Sequence, residues 1–220
     1  MKNFTKISMI VFISLFSLSA SAQTFGLKGG LNLSNMLEKD DDATYSNDYK
    51  MNLGFHVGAT IDVPFNDFLS FESGLLFTTR GMNFEEEILD FGISAKANLY
   101  YLDIPLTLKA SHKLGEELKM YGTFGPYVGI GLSGKIKVTA EYQGVKETEE
   151  IDVEWGNDEN EDDLKRLDMG LTFGAGVEFK SFMIGISYDL GLSNIAAYQD
   201  FGTTSKNRVL KFSIGYRFGS

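Results

Sequence analysis

The chain has 220 residues, 30 Asp and Glu against 20 Lys and Arg, a formal net charge of −10 and no cysteine. The acidic balance excludes a nucleic-acid binder, which needs a basic footprint, and the lack of cysteine excludes a disulfide scaffold. No run of about 20 apolar residues follows the N-terminal segment, which excludes a membrane-spanning helix but not a spanning sheet.

The first residues read as an export signal. Lys2 and Lys6 form a basic n-region, Ile7 to Leu18 a short apolar core, and Ala20-Ser21-Ala22 a small-residue cleavage site. Residues 1–22 are therefore expected to be a signal peptide and residues 23–220 a single domain. No lipobox cysteine follows.

The rest of the chain alternates with period 2, the signature of strands with two chemically distinct faces. Eight such runs are expected: Phe25 to Ser34, Leu53 to Val63, Leu69 to Arg80, Leu99 to Ala110, Leu118 to Ser133, Leu167 to Phe179, Phe182 to Leu192 and Arg208 to Phe218. In the last, Leu210, Phe212, Ile214, Tyr216 and Phe218 share one face, and Lys211, Ser213, Gly215 and Arg217 the other. Connections alternate long and short, with tight turns at Pro64-Phe65-Asn66-Asp67, His112 to Glu117 and Lys180-Ser181. The longest loop is expected from Gly134 to Lys165. The pattern predicts an all-β, eight-stranded antiparallel up-and-down transmembrane β-barrel. Pro105 and Pro126 fall inside strands, so bulges are expected beside them.

The same alternation suits a soluble lipocalin-like ligand-binding barrel with its apolar set inward. The polar set favours the membrane form. It carries Lys28, Arg80, Lys109, Lys211 and Arg217 against Asp62, Glu72, Asp103, Asp168, Glu178 and Asp189, interleaved with glycines. Small residues beside opposite charges suit a narrow polar lumen, where these eleven groups are expected to form a charge network. Phe25, Phe55, Tyr100, Phe179, Phe182 and Phe218 lie at strand ends on the apolar set, as an interfacial girdle would.

Chemical motifs are few. Gly129 to Gly134 spells GxGxxG, but strand-like residues follow where a dinucleotide fold needs a helix. Asp158, Asn160 and Asp162 open like a calcium loop, without its glycine or terminal glutamate. No cofactor is expected. Between Glu141 and Asp163 stand eleven acids against Lys146 alone, with Trp155, the one tryptophan, among them. Trp155 is a candidate contact residue for a protein partner at the loops. His56 is expected to face the lumen near the outer rim, where a serine or aspartate partner would be needed for a lipid-modifying enzyme. A small pore is the other alternative to a non-enzymatic barrel with a plugged lumen.

Phe25-Gly26-Leu27-Lys28-Gly29-Gly30-Leu31-Asn32-Leu33-Ser34-Asn35-Met36, Tyr101-Leu102-Asp103-Ile104-Pro105-Leu106, Gly125-Pro126-Tyr127 and Gly215-Tyr216-Arg217-Phe218, in that order, resemble the PorT-type outer-membrane β-barrel proteins of Bacteroidetes-type bacteria. The resemblance implies an eight-stranded barrel in the outer membrane of a Gram-negative bacterium. Its expected partners are outer-membrane lipid and lipopolysaccharide, and the barrel assembly machinery, with no nucleic acid.

Overall fold

The computed structural model describes residues 23–47, 49–88 and 91–218; the signal peptide read at 1–22 lies outside them. Ten strands run antiparallel: β1 (Thr24–Lys39), β2 (Tyr49–Pro64), β3 (Leu69–Arg80), β4 (Met82–Ile88), β5 (Phe91–Lys113), β6 (Leu118–Tyr142), β7 (Val145–Asp152), β8 (Leu167–Phe179), β9 (Phe182–Gly191) and β10 (Thr204–Phe218). Eight close a ring in the order β1-β2-β3-β5-β6-β8-β9-β10. Closure is made by β1 against β10, from Phe25 opposite Phe218 to Lys39 opposite Thr204. A closed ring pairs every strand on both sides, which is what lipid demands of a backbone.

Alternation sets the two faces. Leu27, Leu31, Phe212 and Ile214 are 55%, 57%, 45% and 68% exposed on the outside, whereas Arg80 and Lys109 are 0% and 1% exposed in the lumen. Three tight turns hold one end. At the first, Asn66 Oδ1 accepts from the amides of Phe68 and Leu69 at 2.9 and 2.8 Å. At the third, Lys180 takes a left-handed φ of 54°. The second turn is shorter than the sequence suggests, because His112 and Lys113 remain in β5.

At the other end the strands overrun the ring. β5 and β6 have 23 and 25 residues, about twice what a bilayer core requires. Above the ring they pair from Leu99 opposite Gly134 to Phe91 opposite Tyr142. β4 joins this sheet on the β5 side and β7 on the β6 side. The expected loop over 134–165 is thus strand as far as Asp152, apart from the turn at Gln143 and Gly144, both with positive φ.

The prolines do not shift the register. Around Pro105 the β3–β5 ladder lapses between Ser73 opposite Leu106 and Leu76 opposite Asp103, then resumes in step. Pro126 stays opposite Leu171. Proline removes one donor, and a local gap absorbs that. The one irregularity of the β5–β6 pair lies higher, where Tyr100 faces Ser133 but Tyr101 faces Gly131.

Candidate functional site: the charged lumen and its cap

All eleven charged residues read from the sequence meet inside the ring, in two layers. Near the turn end, Lys109 Nζ binds Glu178 and lies 3.3 Å from Asp62 and 3.6 Å from Glu72. Arg217 reaches Asp62 at 2.7 Å and Glu178 at 2.9 Å, and Lys28 lies 3.6 Å from Glu72. Three cations meet three anions, so this layer is neutral. Near the loop end, Arg80 binds Asp168 and, at 2.7 Å, Asp103; Lys211 lies 3.2 Å from Asp103 and 2.5 Å from Asp189. Two cations here meet three anions.

Neutral donors satisfy the surplus acceptor capacity of the loop-end layer. Tyr127 Oη, Asn207 Nδ2 and Ser193 Oγ donate to Asp168 at 3.2, 3.0 and 2.9 Å. The Arg80 guanidinium also lies 4.6 Å from the Tyr101 ring centre and 5.0 Å from that of Tyr127, and Lys109 lies 4.6 Å from that of Tyr121. Aromatic faces attract cations most when water is excluded.

Between the layers a cavity of about 30 Å³ is lined by His56, Lys28, Glu72, Asp103, Asp189 and Lys211 among others. A space open to a water-sized sphere needs about 10–15 Å³ to hold one water, so this cavity has room for a few waters. His56 is buried beside it, at mid-barrel rather than at the rim. Its Nδ1 lies 2.7 Å from Asn32 Oδ1 and its Nε2 2.9 Å from Ser213 Oγ. Asn32 is itself fixed by donating to the carbonyls of Phe55 and Thr79. With Asn32 Oδ1 an obligate acceptor, Nδ1 carries the proton and Nε2 accepts from Ser213.

Above the loop-end layer sits an apolar cap that the sequence reading missed. Met36, Leu99, Tyr101, Val153 and Ile195 form its buried core, with Met82, Ile136, Trp155 and Leu164 packed against it. The descending segment 153–166 is tied across the mouth: Val153 N donates to Gly134 O, Lys165 N to Ile195 O, and Gly131 N to Arg166 O at 2.7 Å. Trp155 packs edge-on to Tyr101, ring centres 5.6 Å apart. It is half-buried in the cap rather than presented at the tip of a loop. Gly131 makes the room, since a Cβ there would sit 2.2 Å from the indole. The sequence signal was available. Ala97 and Leu99 are apolar residues on the face of β5 that is charged lower down, whereas Ile136 reaches that face only through the extra residue of β6 near Leu132.

The loops around the cap are self-contained. Asp41 N donates to Phe201 O, joining the 40–47 and 200–203 segments. Tyr45 Oη donates to Asp40 at 2.5 Å, and this bond, ahead of the Ala43 and Asp42 amides, holds the Asp40 carboxyl below its ordinary range. The calcium-like stretch is a turn closed on itself, Asp158 accepting from Asn160 N and Asp162 from Asp158 N. Gly129 to Gly134 lies wholly within β6.

A closed antiparallel ring, apolar outside and ion-paired within, defines a membrane-spanning β-barrel. The comparison with known families agrees: residues 21–197 match the outer membrane protein beta-barrel domain, and the chain belongs to that family. Among solved structures it is similar to Ail, the attachment invasion locus protein of Yersinia pestis, at 22% identity over 89% of this chain and 98% of that one, with a TM-score of 0.39. It is also similar to the outer membrane protein OprG of Pseudomonas aeruginosa, at 15% identity over 90% and 97%, with a TM-score of 0.45. None of the curated proteins matches the chain.

Two outcomes follow from this geometry. Arg80→Met leaves Asp168 without a cation and Asp103 with Lys211 alone, and is expected to cost about 3–5 kcal/mol, read as an earlier urea midpoint of the lipid-embedded barrel; adding Asp168→Leu should recover part of it. An Arg80→Met barrel as stable as the parent would contradict the ion-pair account. Gly131→Leu should expel the one indole from the cap, shifting its emission to the red and raising quenching by acrylamide. Unchanged emission would mean that the cap does not depend on that contact.

Proposed function

We propose that this chain is a non-enzymatic outer-membrane barrel of the PorT type, closed to conduction, whose role is to hold a rigid sheet outside the cell for contact with another molecule. The observation that carries the reading is the reversal of polarity along β5 and β6. Within the ring, Tyr100, Leu102, Leu106 and Leu108 face outward and Tyr101, Asp103 and Lys109 inward. Past the irregularity at Tyr100 and Tyr101, Asn98, Lys96 and Ser94 face outward and Ala97, Ala95 and Ile93 inward. Outer membrane barrels carry long loops outside and short turns in the periplasm. The reversal therefore marks the outer edge of the bilayer, and about 25 Å of sheet stands beyond it, at roughly 3.3 Å per residue.

The two ionic layers, the small polar space between them and the apolar cap support a plugged lumen. Against the enzyme reading stands the same enclosure. Ser213, His56 and Asn32 are strung as nucleophile, base and orienting group would be, but a lipid chain has no room beside them. In this reading they complete the lumen's hydrogen-bond network. The PorT-type placement rests on the ordered motifs around Lys28 to Ser34, Asp103 to Pro105 and Tyr216 to Phe218. Outer-membrane lipid and lipopolysaccharide surround the apolar face, and the barrel assembly machinery inserts it.

The protein reconstituted in planar bilayers should remain electrically silent through repeated insertions. Steady unitary conductance from the parent chain would overturn the closed barrel in favour of a small pore.

A further inference from the structure

The outer sheet has an uncovered apolar face. Past the cap, its inward side carries Ala95 beside Val138, Ile93 beside Ala140 and Phe91 beside Tyr142. β4 adds Phe84 to the first row, and β7 adds Val145 to the last. Phe91, Tyr142 and Val145 are 46%, 58% and 67% exposed, values like those of the lipid-facing side chains, although these residues lie beyond the bilayer. Soluble surfaces seldom carry a contiguous apolar patch without a partner.

Acids flank the patch on both sides. Glu86 of β4 stands next to Ile93, and Glu147 and Glu149 of β7 stand next to Ala140 and Val138. Acids on the opposite face of the same sheet have cations: Lys50 for Glu85 at 2.5 Å, Lys146 for Glu141 at 3.0 Å and Lys135 for Glu150 at 3.7 Å. Among the described residues, Glu86, Glu147 and Glu149 have none. Their carboxylates are exposed, and Glu147 and Glu149, about 7 Å apart along β7, lie within a Debye length of each other, so they repel unless a cation comes between.

Spacing selects the occupant. β4 and β7 are separated by three inter-strand steps, about 14 Å at roughly 4.8 Å each. An α-helix with its side chains is about 10–12 Å across. A helix laid along β5 and β6 places an apolar stripe on the three rows and its flanking side chains at the two acidic rails. Three rows, two residues apart along each strand, span about 14–20 Å, or three turns of helix. A second copy of this chain stacked face to face would set acid against acid. A strand added at β7 would leave the rows bare.

We propose that this face docks a cationic amphipathic α-helix of a partner protein, with lysine or arginine on both sides of an apolar stripe. The proposal rests on the surface-contact reading above and names the chemistry of the partner.

The probe is a synthetic fourteen-residue helix with a leucine stripe flanked by lysines, titrated into the full chain in zwitterionic lipid nanodiscs, with empty discs as baseline. Saturable binding above the baseline is expected. It should weaken at least tenfold in a Glu86→Lys, Glu147→Lys, Glu149→Lys variant. It should hold in a Glu85→Lys, Glu141→Lys, Glu150→Lys variant, which makes the same charge change on the other face. Heat-modifiable migration confirms that both variants are folded. Equal weakening by both variants, equal binding of a leucine–glutamate helix, binding no greater than to empty discs, or self-association of the barrel through this face would each overturn the proposal. Photo-crosslinkers at Ala140 and Thr139 in cells separate it from the broader reading. Adducts from Thr139 alone would sink the helix site but keep the surface role, and adducts from neither would sink both.

Discussion

Arg80 has no route to water. Its guanidinium is enclosed by the ring, the cap and the cavity wall, and an unpaired cation there would cost several kcal/mol. Asp103 and Asp168 answer it from β5 and β8, and Asp103 is shared with Lys211 of β10. At the turn end Lys109 of β5 and Arg217 of β10 both reach Glu178 of β8. These pairs are struts across the lumen. Buried ion pairs add little net stability over apolar packing, but breaking one is expensive. Their effect here is on register. A slip of one residue would turn Asp103 or Lys109 into lipid and Leu102 or Leu108 into the lumen. The charge network and the closing pair of β1 and β10 thus specify the same arrangement.

Beyond the bilayer the solvent changes and the rule reverses. The outward face of β5 meets water from Asn98 onward, and the inward face no longer has charges to satisfy. Leu99 and Tyr101 sit at the crossover and form the floor of the cap with Trp155, Val153 and Ile195. The extra residue of β6 near Leu132 falls at this level, where Gly131 leaves space for the indole. One continuous pair of strands therefore serves as membrane wall, lid seat and exposed sheet.

The part of the fold buried in the membrane was legible because its two faces differ in chemistry at every step. Leu210 to Phe218 alternates without a break, and Leu69 to Arg80 and Leu167 to Phe179 begin and end where the alternation does. The lumen residues were legible for the same reason, as charges on one parity. What lay beyond was obscured by the acids. Glu85, Glu86, Glu147, Glu149 and Glu150 read as solvated loop, yet they sit on β4 and β7, where Glu86, Glu147 and Glu149 stand opposite Ile93, Ala140 and Val138. The cap was hidden because Trp155, Ile195 and Met36 come from three distant segments, which no period in the sequence connects. Pro105 and Pro126 suggested broken register, but antiparallel pairing loses a bond or two at each and continues in step.

The central claim is that the apolar face meets lipid up to Tyr100 and water from Asn98 onward. Single spin labels at the outward positions Leu106, Leu102, Tyr100, Asn98, Lys96 and Ser94 of β5, in bilayer-reconstituted protein, test it most directly through their accessibility to oxygen and to a water-soluble nickel complex. The account predicts oxygen-dominated relaxation at Leu106 and Leu102, a crossover at Tyr100, and nickel-dominated relaxation at Asn98, Lys96 and Ser94. Nickel access at Leu102 and Leu106 equal to that at Lys96, or labels there shielded from both reagents, would contradict it.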